Sequence, residues 1–473
     1  MPRTRIALVA PPMDFMSELY GFRTRSGYRN QPPLGIACIA GVLRHHGFPV
    51  TILDAAAEGW DLPTTVDRVL AWRPDVIGVT AITLETPAAY ALLRALRPQT
   101  RATLVLGGAH ANACFETVPD ECPEVDVVVA GDGEPTMLEL CRALEAGKTF
   151  ERIRGLRCRR EDGSFTAFRE RPPIHDLDTL PLPAYDLLPL ARYVPLPHRR
   201  KRLPSTCMIT SRGCSYAKCS YCEMSKLVRR NFRRHSPERV VREMKALVSM
   251  TGARDLYFQD DIFITDEAWV REFCDRLDEA ALDVIWSCES RFVGVSEDLL
   301  RRMRRSGCWR IYYGFETGNQ ELLDRIQKGF TLDEAREGAR CARAAGLEVV
   351  GFFMLGLPGE TPELGRRTID FSLSLGLSHA MYSLTVAHRG TELYRICSEE
   401  GTILLDRDYA QKRAAFLPRG YRDVKQLEDL QAEAFRRFYL RPAYWRQCLS
   451  DLRSLDDVRY YAEGVRSLFT FLD

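Results

Sequence analysis

Thr206-Cys207-Met208-Ile209-Thr210-Ser211-Arg212-Gly213-Cys214-Ser215-Tyr216-Ala217-Lys218-Cys219-Ser220-Tyr221-Cys222 is the stretch on which the reading of this chain turns. Its first five residues are apolar and β-branched enough for a buried strand, and the polar, glycine-containing run after them reads as a loop. The loop carries three thiols within nine residues, Cys214, Cys219 and Cys222, in the spacing C-x4-C-x2-C. A loop can bring three sulfurs to one metal centre without distorting regular structure. Structural zinc normally takes four ligands, whereas a 4Fe-4S cluster held by three thiolates leaves one iron open for a small molecule. The zinc reading needs Cys207 as fourth ligand, and Cys207 lies inside the strand, seven residues upstream.

Downstream, strand and helix patterns alternate. Candidate strands are Thr206 to Thr210, Asp255 to Gln259, Val284 to Cys288, Arg310 to Gly314, Val349 to Leu355 and Met381 to Val386, with helices such as Ser236 to Ser249 and Thr331 to Ala345 between them. Six such repeats are two short of an eight-fold barrel, so a partial (β/α)6 TIM-like barrel is expected over 204–400, with its chemistry at the C-terminal strand ends. Those ends are polar or glycine-rich. Strand two runs into Asp260-Asp261, whose carboxylates are suited to an ammonium or a ribose hydroxyl, with Asp266 the better candidate for the next helix cap. Strand three ends at Glu289-Ser290-Arg291, where Arg291 either clamps a carboxylate or pairs with Glu289. Strand four ends at Gly314-Phe315-Glu316, and strand five at Gly356-Leu357-Pro358-Gly359, an edge that suits a flat ring approaching the backbone.

Upstream, Ile6 to Ala10, Val50 to Leu53, Val76 to Thr80, Thr103 to Leu106 and Val125 to Val129 alternate with helical patterns, which predicts a doubly wound five-stranded parallel sheet over 1–150. Residues 151–203 hold a hairpin with its turn at Glu161-Asp162-Gly163, then a proline-rich linker. Residues 401–473 read as a helical C-terminal region whose aromatics, among them Phe435, Phe438 and Tyr439, form a packing stripe rather than a nucleic-acid surface.

The 473 residues, 45% hydrophobic and 27% charged, suffice for two or three domains and exclude a disordered chain. Sixty-six basic against 64 acidic side chains give +2, so no global field attracts nucleic acid or an anionic membrane. No apolar run approaches the roughly 20 residues that span a bilayer. The 15 cysteines, an odd number, point to thiols and metal ligands in a cytoplasmic protein rather than to a disulfide framework.

The cysteine loop after a first barrel strand resembles the radical S-adenosylmethionine (SAM) superfamily, whose usual spacing is C-x3-C-x2-C, one residue shorter. The resemblance covers Ser205 to Leu393. It implies that Cys214, Cys219 and Cys222 ligate a 4Fe-4S cluster, and that Asp260, Asp261, Arg291, Gly314, Glu316 and Gly356 bind SAM. In the N-terminal region, Asp54-Ala55-Ala56-Ala57-Glu58-Gly59, Thr80-Ala81-Ile82 and Gly107-Gly108-Ala109-His110 resemble the D-x-H-x-x-G, S-x-L and G-G signatures of cobalamin-binding domains. Pro32-Pro33-Leu34-Gly35 and Gly131-Asp132-Gly133-Glu134 extend the likeness to cobalamin-binding domains fused to radical SAM enzymes. Thr80, Ala81, Gly107, Gly108, Gly131, Gly133 and Glu134 are then the cobalamin-binding positions, and Ala56 occupies the place of the cobalt-ligating histidine. A flavodoxin-like domain without that ligand is the plain alternative.

The family resemblance implies reductive cleavage of SAM to a 5′-deoxyadenosyl radical and methylation of an unactivated carbon in a small-molecule substrate, a natural-product or cofactor precursor. Electrons would come from a donor such as flavodoxin or ferredoxin. A cyclase or rearrangement enzyme without methyl transfer and a non-catalytic corrinoid or metal-binding module are the alternatives.

Overall fold

The computed structural model describes residues 3–13, 31–196, 199–222, 231–404, 413–450 and 458. The chain divides into two compact units, the first built mainly on residues up to Val194, the second mainly on those from Pro195 onward. Arg233, although it follows the cysteine loop, belongs to the first.

In the first unit, β1 (Ile6–Ala10), β2 (Val50–Asp54), β3 (Val76–Thr80), β4 (Thr103–Gly107) and β5 (Val127–Val129) pair in parallel in the order β2-β1-β3-β4-β5. β1 is buried along its whole length and β3 along all but its last residue, the near-continuous apolar pattern of a sheet covered on both faces. The strand order reverses between β1 and β3, where open sheets of this type place their ligand crevice. The sheet has one strand more than expected. β6 (Leu156–Cys158), from the hairpin stretch expected in the linker, runs antiparallel along β5, and its return arm continues as an Arg159–Phe165 bridge. The proline-rich segment beyond makes only short 3-10 turns, at Leu177–Thr179, Tyr185–Leu187 and Leu190–Arg192.

The second unit contains β7 (Ser205–Met208), β8 (Asp255–Phe258), β9 (Ile285–Ser290), β10 (Cys308–Glu316), β11 (Glu348–Leu355) and β12 (His379–Leu384). Each pairs in parallel with its sequence neighbour, giving an open half-barrel with β7 and β12 at its edges. The connecting helices start where their caps dictate. Ser236 accepts a bond from Arg239 N, Asp266 from Ala268 and Trp269 N, and Thr331 forms a reciprocal box with Glu334. Toward the strand starts, the fully buried Arg310 pairs with Glu348 at 2.5 Å, and Lys201 reaches the same carboxylate at 3.0 Å.

The C-terminal region opens with a short antiparallel ladder, β13 (Gly401–Ile403) with β14 (Phe416–Pro418), where helix was expected. Helices follow at Val424–Tyr439 and Pro442–Ser450; residues 451–473, Val458 apart, lie outside the described residues. Phe435, Phe438 and Tyr439 are buried; Phe435 meets Tyr382 of β12 edge-on at 5.3 Å, and the Tyr439 hydroxyl donates to Ala380 O at 2.9 Å. The aromatic stripe is thus a packing surface against the last barrel strand. No described helix is long and apolar enough to cross a membrane. Phe438→Ala is expected to lower stability by about 3–5 kcal/mol in urea denaturation, whereas exposed Arg436→Ala should change it by no more than about 0.5 kcal/mol.

Candidate active site

Asp260 sets the start of the cysteine loop. Its carboxylate, 2% exposed, accepts Thr210 N at 2.9 Å, Thr210 Oγ1 at 3.1 Å, Ser211 Oγ at 2.6 Å and Ser211 N. Burial pushes its carboxyl up to about 7 against the pull of these donors. The sequence reading had Asp260 reaching for a cofactor; instead its oxygens are occupied by the loop. Asp261 beside it is exposed.

The three loop cysteines are all half-buried and free, and Cys222 N donates to Cys219 O at 3.4 Å. As they stand, no three potential ligands among the described residues are grouped closely enough to hold an ion. The donor chemistry nevertheless fits a cluster: three thiols with solvent access on one turn, where most other cysteines are buried. The residue that lengthens the spacer is accommodated by a left-handed backbone at Ala217, φ 46°.

A second element, Ile326-Gln327-Lys328-Gly329, grips the same loop and had no signal in the sequence. Ser220 N donates to Ile326 O at 3.0 Å, and the Tyr216 hydroxyl to Gln327 O at 2.8 Å. Gly329, at φ 70°, leaves room for the Tyr216 ring; a Cβ there would overlap its hydroxyl and come 2.6 Å from Cζ. Arg291 is stacked 3.8 Å over that ring and donates to Lys328 O at 3.0 Å, so it braces the loop where a carboxylate clamp was expected. Lys328 Nζ reaches Glu316 Oε1 at 2.6 Å and the Tyr221 hydroxyl at 2.8 Å, and Tyr221 donates to Glu316 at 2.9 Å. Glu316 holds a left-handed φ of 65° beside a register shift in β10, a conformation that non-glycine residues adopt only when surroundings impose it. Gly314 explains itself in this light, because a Cβ would sit 2.8 Å from Lys328 Nζ.

At the end of β11, Gly356 (φ 79°) donates its N–H to Glu360 at 2.6 Å, and the Tyr421 hydroxyl donates to the same oxygen at 2.6 Å. Burial raises the Glu360 carboxyl to about 7. The glycine-rich edge is therefore fixed from behind by a pairing with Tyr421 that local sequence does not reveal, and a Cβ at Gly356 would come 2.8 Å from Leu427.

In the first unit, the ends of β3, β4 and β5 present backbone and small side chains. Thr80 is in register with Gly107, and Ala81 N donates to Gly107 O at 3.1 Å. A Cβ at Gly131 would meet nothing within 4 Å, and one at Gly107 only Val129 O at 4.0 Å, so these edges have space for a large flat ligand. Gly108 (φ 100°) is needed because a Cβ would come 2.6 Å from Ala81 O. Gly131 N is held by Asn112 Oδ1 at 2.7 Å, and Asp132 by a buried pair with Arg233 at 2.6 Å. Gly133 and Glu134 begin the helix Gly133–Glu145, with Glu134 buried. Ala56 is buried in a short helix, Ala55–Glu58, capped by Asp54. His110 is also buried, with Tyr90 and Thr83 hydroxyls 3.3 and 3.4 Å from its ring nitrogens. The small-residue cradle fits cobalamin, and neither Ala56 nor the engaged His110 offers cobalt a ligand.

Fold and site thus define a corrinoid-type sheet and a cysteine-loop half-barrel in one chain. Residues 24–141 match the B12 binding domain family and residues 208–371 the radical SAM superfamily. An uncharacterized methyltransferase of Pyrococcus horikoshii is 31% identical over 93% of this chain and 93% of its own length. An anaerobic magnesium-protoporphyrin IX monomethyl ester cyclase of Rubrivivax gelatinosus is 26% identical over 88% of this chain and 75% of its own. Among solved structures, the radical SAM methyltransferase TsrM of Kitasatospora setae, with cobalamin and a [4Fe-4S] cluster bound, aligns with TM-score 0.71 at 18% identity over 93% of this chain and 90% of its own. The cobalamin-dependent radical SAM enzyme OxsB aligns at 0.67 and 16% identity over 83% of this chain, which spans 55% of that chain. The chain belongs to the cobalamin-binding radical SAM enzymes, a family whose cofactors are cobalamin, SAM and a 4Fe-4S cluster.

Because Gly329 and Tyr216 share one space, Gly329→Ala should reduce the iron and sulfide retained after anaerobic reconstitution. The double variant with Tyr216→Ala should be no worse than the poorer single variant, a non-additivity that chemical iron analysis and electron paramagnetic resonance would read.

Proposed function

We propose that this chain is a cobalamin-dependent radical SAM methyltransferase that acts on an unactivated carbon of a small molecule. The observation that carries the radical reading is the three-thiol loop fixed by buried Asp260 at the C-terminal end of β7. When bound, the cluster, SAM and cobalamin supply one-electron reductive cleavage of SAM and transfer of a methyl group.

In this reading Cys214, Cys219 and Cys222 would hold the cluster, whose chemistry when bound by three thiolates is to accept SAM. Asp260 positions the loop and does not touch SAM, and Tyr216, Arg291 and Gly329 fix the loop from the other side. Glu316, Asp261 and the Gly314 and Gly356 edges line the mouth where SAM would lie. Lys328 keeps Glu316 paired, so that carboxylate offers hydrogen-bond acceptance without an uncompensated charge. Thr80, Ala81, Gly107, Gly108, Gly131, Gly133 and Glu134 would border the cobalamin, with no protein side chain from the Ala56 position on cobalt. An external one-electron donor such as flavodoxin or ferredoxin completes the cycle. The methyltransferase of Pyrococcus horikoshii supports methyl transfer; the similarity to a cyclase is the specific ground for a second reading, ring closure without methyl transfer.

Anaerobic reconstitution with iron, sulfide and hydroxocobalamin, followed by SAM and a strong reductant, is expected to yield 5′-deoxyadenosine from wild type and none from Cys219→Ala. Absence of deoxyadenosine from cluster-loaded wild type sinks the radical reading. With substrate in hand, a product with one more carbon, a net gain of CH2, supports methylation, and a product with unchanged carbon count supports cyclisation.

A further inference from the structure

The inner face of the half-barrel carries a polar group around Glu289, near the end of β9, that the proposed cluster and SAM residues do not include. Arg199, on the segment leading into β7, donates to Glu289 Oε1 at 3.1 Å and to the Tyr257 hydroxyl. Tyr257 donates to the same Glu289 oxygen. The guanidinium lies 4.9 Å over the Tyr257 ring and 5.6 Å over that of Tyr312, so Arg199 is fixed by two rings as well as by charge. Glu289 is thereby pinned through one oxygen only. No described residue hydrogen-bonds to its Oε2, and its side chain is 32% exposed.

Around this carboxylate the inner face is apolar. Tyr312 stacks on Phe352 at 6.0 Å with ring planes 15° apart, and Phe352, Met354 and Met381 are half-buried on the same side of β11 and β12. Deeper, Lys201 and Arg310 are both committed to Glu348. Each of these three cations therefore already has a carboxylate, and among the described residues of this floor an anionic substrate would find no uncompensated positive charge. A cation is no better served, because Arg199 offsets Glu289. The combination that fits is a flat or apolar body with a single neutral donor.

We infer that the substrate is a largely apolar molecule with a flat face that lies against Phe352, Met354 and Met381, with buried Tyr312 backing the Phe352 ring, and presents one hydroxyl or N–H to Glu289. This rests on the reading of the half-barrel as the site of a radical SAM reaction, and it adds the class of molecule admitted. Glu289 is the specificity-determining residue, and Arg199 and Tyr257 are positioning residues that aim its second oxygen. A hydrogen bond to a charged acceptor is worth enough that losing the donor should weaken binding about tenfold.

The test uses the full-length reconstituted protein, kept anaerobic, and three probes: indole, benzofuran of the same shape without the N–H, and benzoate. Saturation-transfer NMR titrations should give binding in the order indole, benzofuran, benzoate, with indole about tenfold tighter than benzofuran. Glu289→Gln removes the negative charge beside Arg199, so benzoate should gain about tenfold while the indole preference shrinks. Tyr257→Phe, which keeps the charge and frees an acceptor site on Glu289, should retain the indole preference and the weak benzoate binding. Equal binding of indole and benzofuran to wild type, or benzoate binding unchanged in Glu289→Gln, overturns the inference. Deoxyadenosine formation, measured without probe in the same preparations, reports separately on the radical reading, so the two can fail independently.

Discussion

Everything specific about this chain hangs on one buried carboxylate. Asp260 takes two backbone N–H groups and two hydroxyls from Thr210 and Ser211, the last residues before the cysteine loop. A carboxylate left unsatisfied at such depth costs several kcal/mol, so the donors and the acceptor enforce each other. The consequence is geometric. A three-thiol loop is by nature irregular, yet here it leaves a rigid parallel sheet at a defined point and in a defined direction. At its far side it meets a second support, the Ile326–Gly329 segment, through Ser220 and Tyr216. Reactive ligands on a loop need such bracing, because precision comes from the supporting shell.

That dependence also shows what a single sequence can reveal. The alternation of strands and helices was legible, since buried parallel strands must be apolar and helix caps have a short chemical vocabulary. Ser236, Asp266 and Thr331 cap where their neighbours require. The three cysteines were legible because their spacing is itself the chemistry. Contacts between positions far apart in sequence were not. Nothing local tells that Lys328 will pair with Glu316, that Tyr421 will hold Glu360, or that Arg233 will bury itself against Asp132. Nor does anything local tell that Asp260 will engage Thr210 and Ser211, or that Arg291 will stack on Tyr216. Strand-end charged residues look like ligand contacts until the neighbours that satisfy them are known.

The glycines of the two motif-rich regions illustrate the difference between reading a residue type and reading its reason. Gly314 looks like an opening for a ligand, but the space it leaves is taken by the Lys328–Glu316 pair. Gly329, which carried no motif, is required by Tyr216. Gly131 and Gly107 are different, for a Cβ at either would meet almost nothing among the described residues, which leaves those strand ends open.

The half-barrel interior carries the complementary argument from charge. Four of its described cations are taken one by one, Arg199 by Glu289, Lys201 and Arg310 by Glu348, Lys328 by Glu316. A pocket whose fixed charges cancel locally exerts little net pull on ions and leaves aromatic and thioether surface to make the contact. Such surroundings suit an unactivated carbon, which offers no charge to be recognised and must be presented by shape. Selectivity then has to come from a single polar feature and from the walls. Oε2 of Glu289, a carboxylate oxygen to which no described residue hydrogen-bonds, is where the two meet.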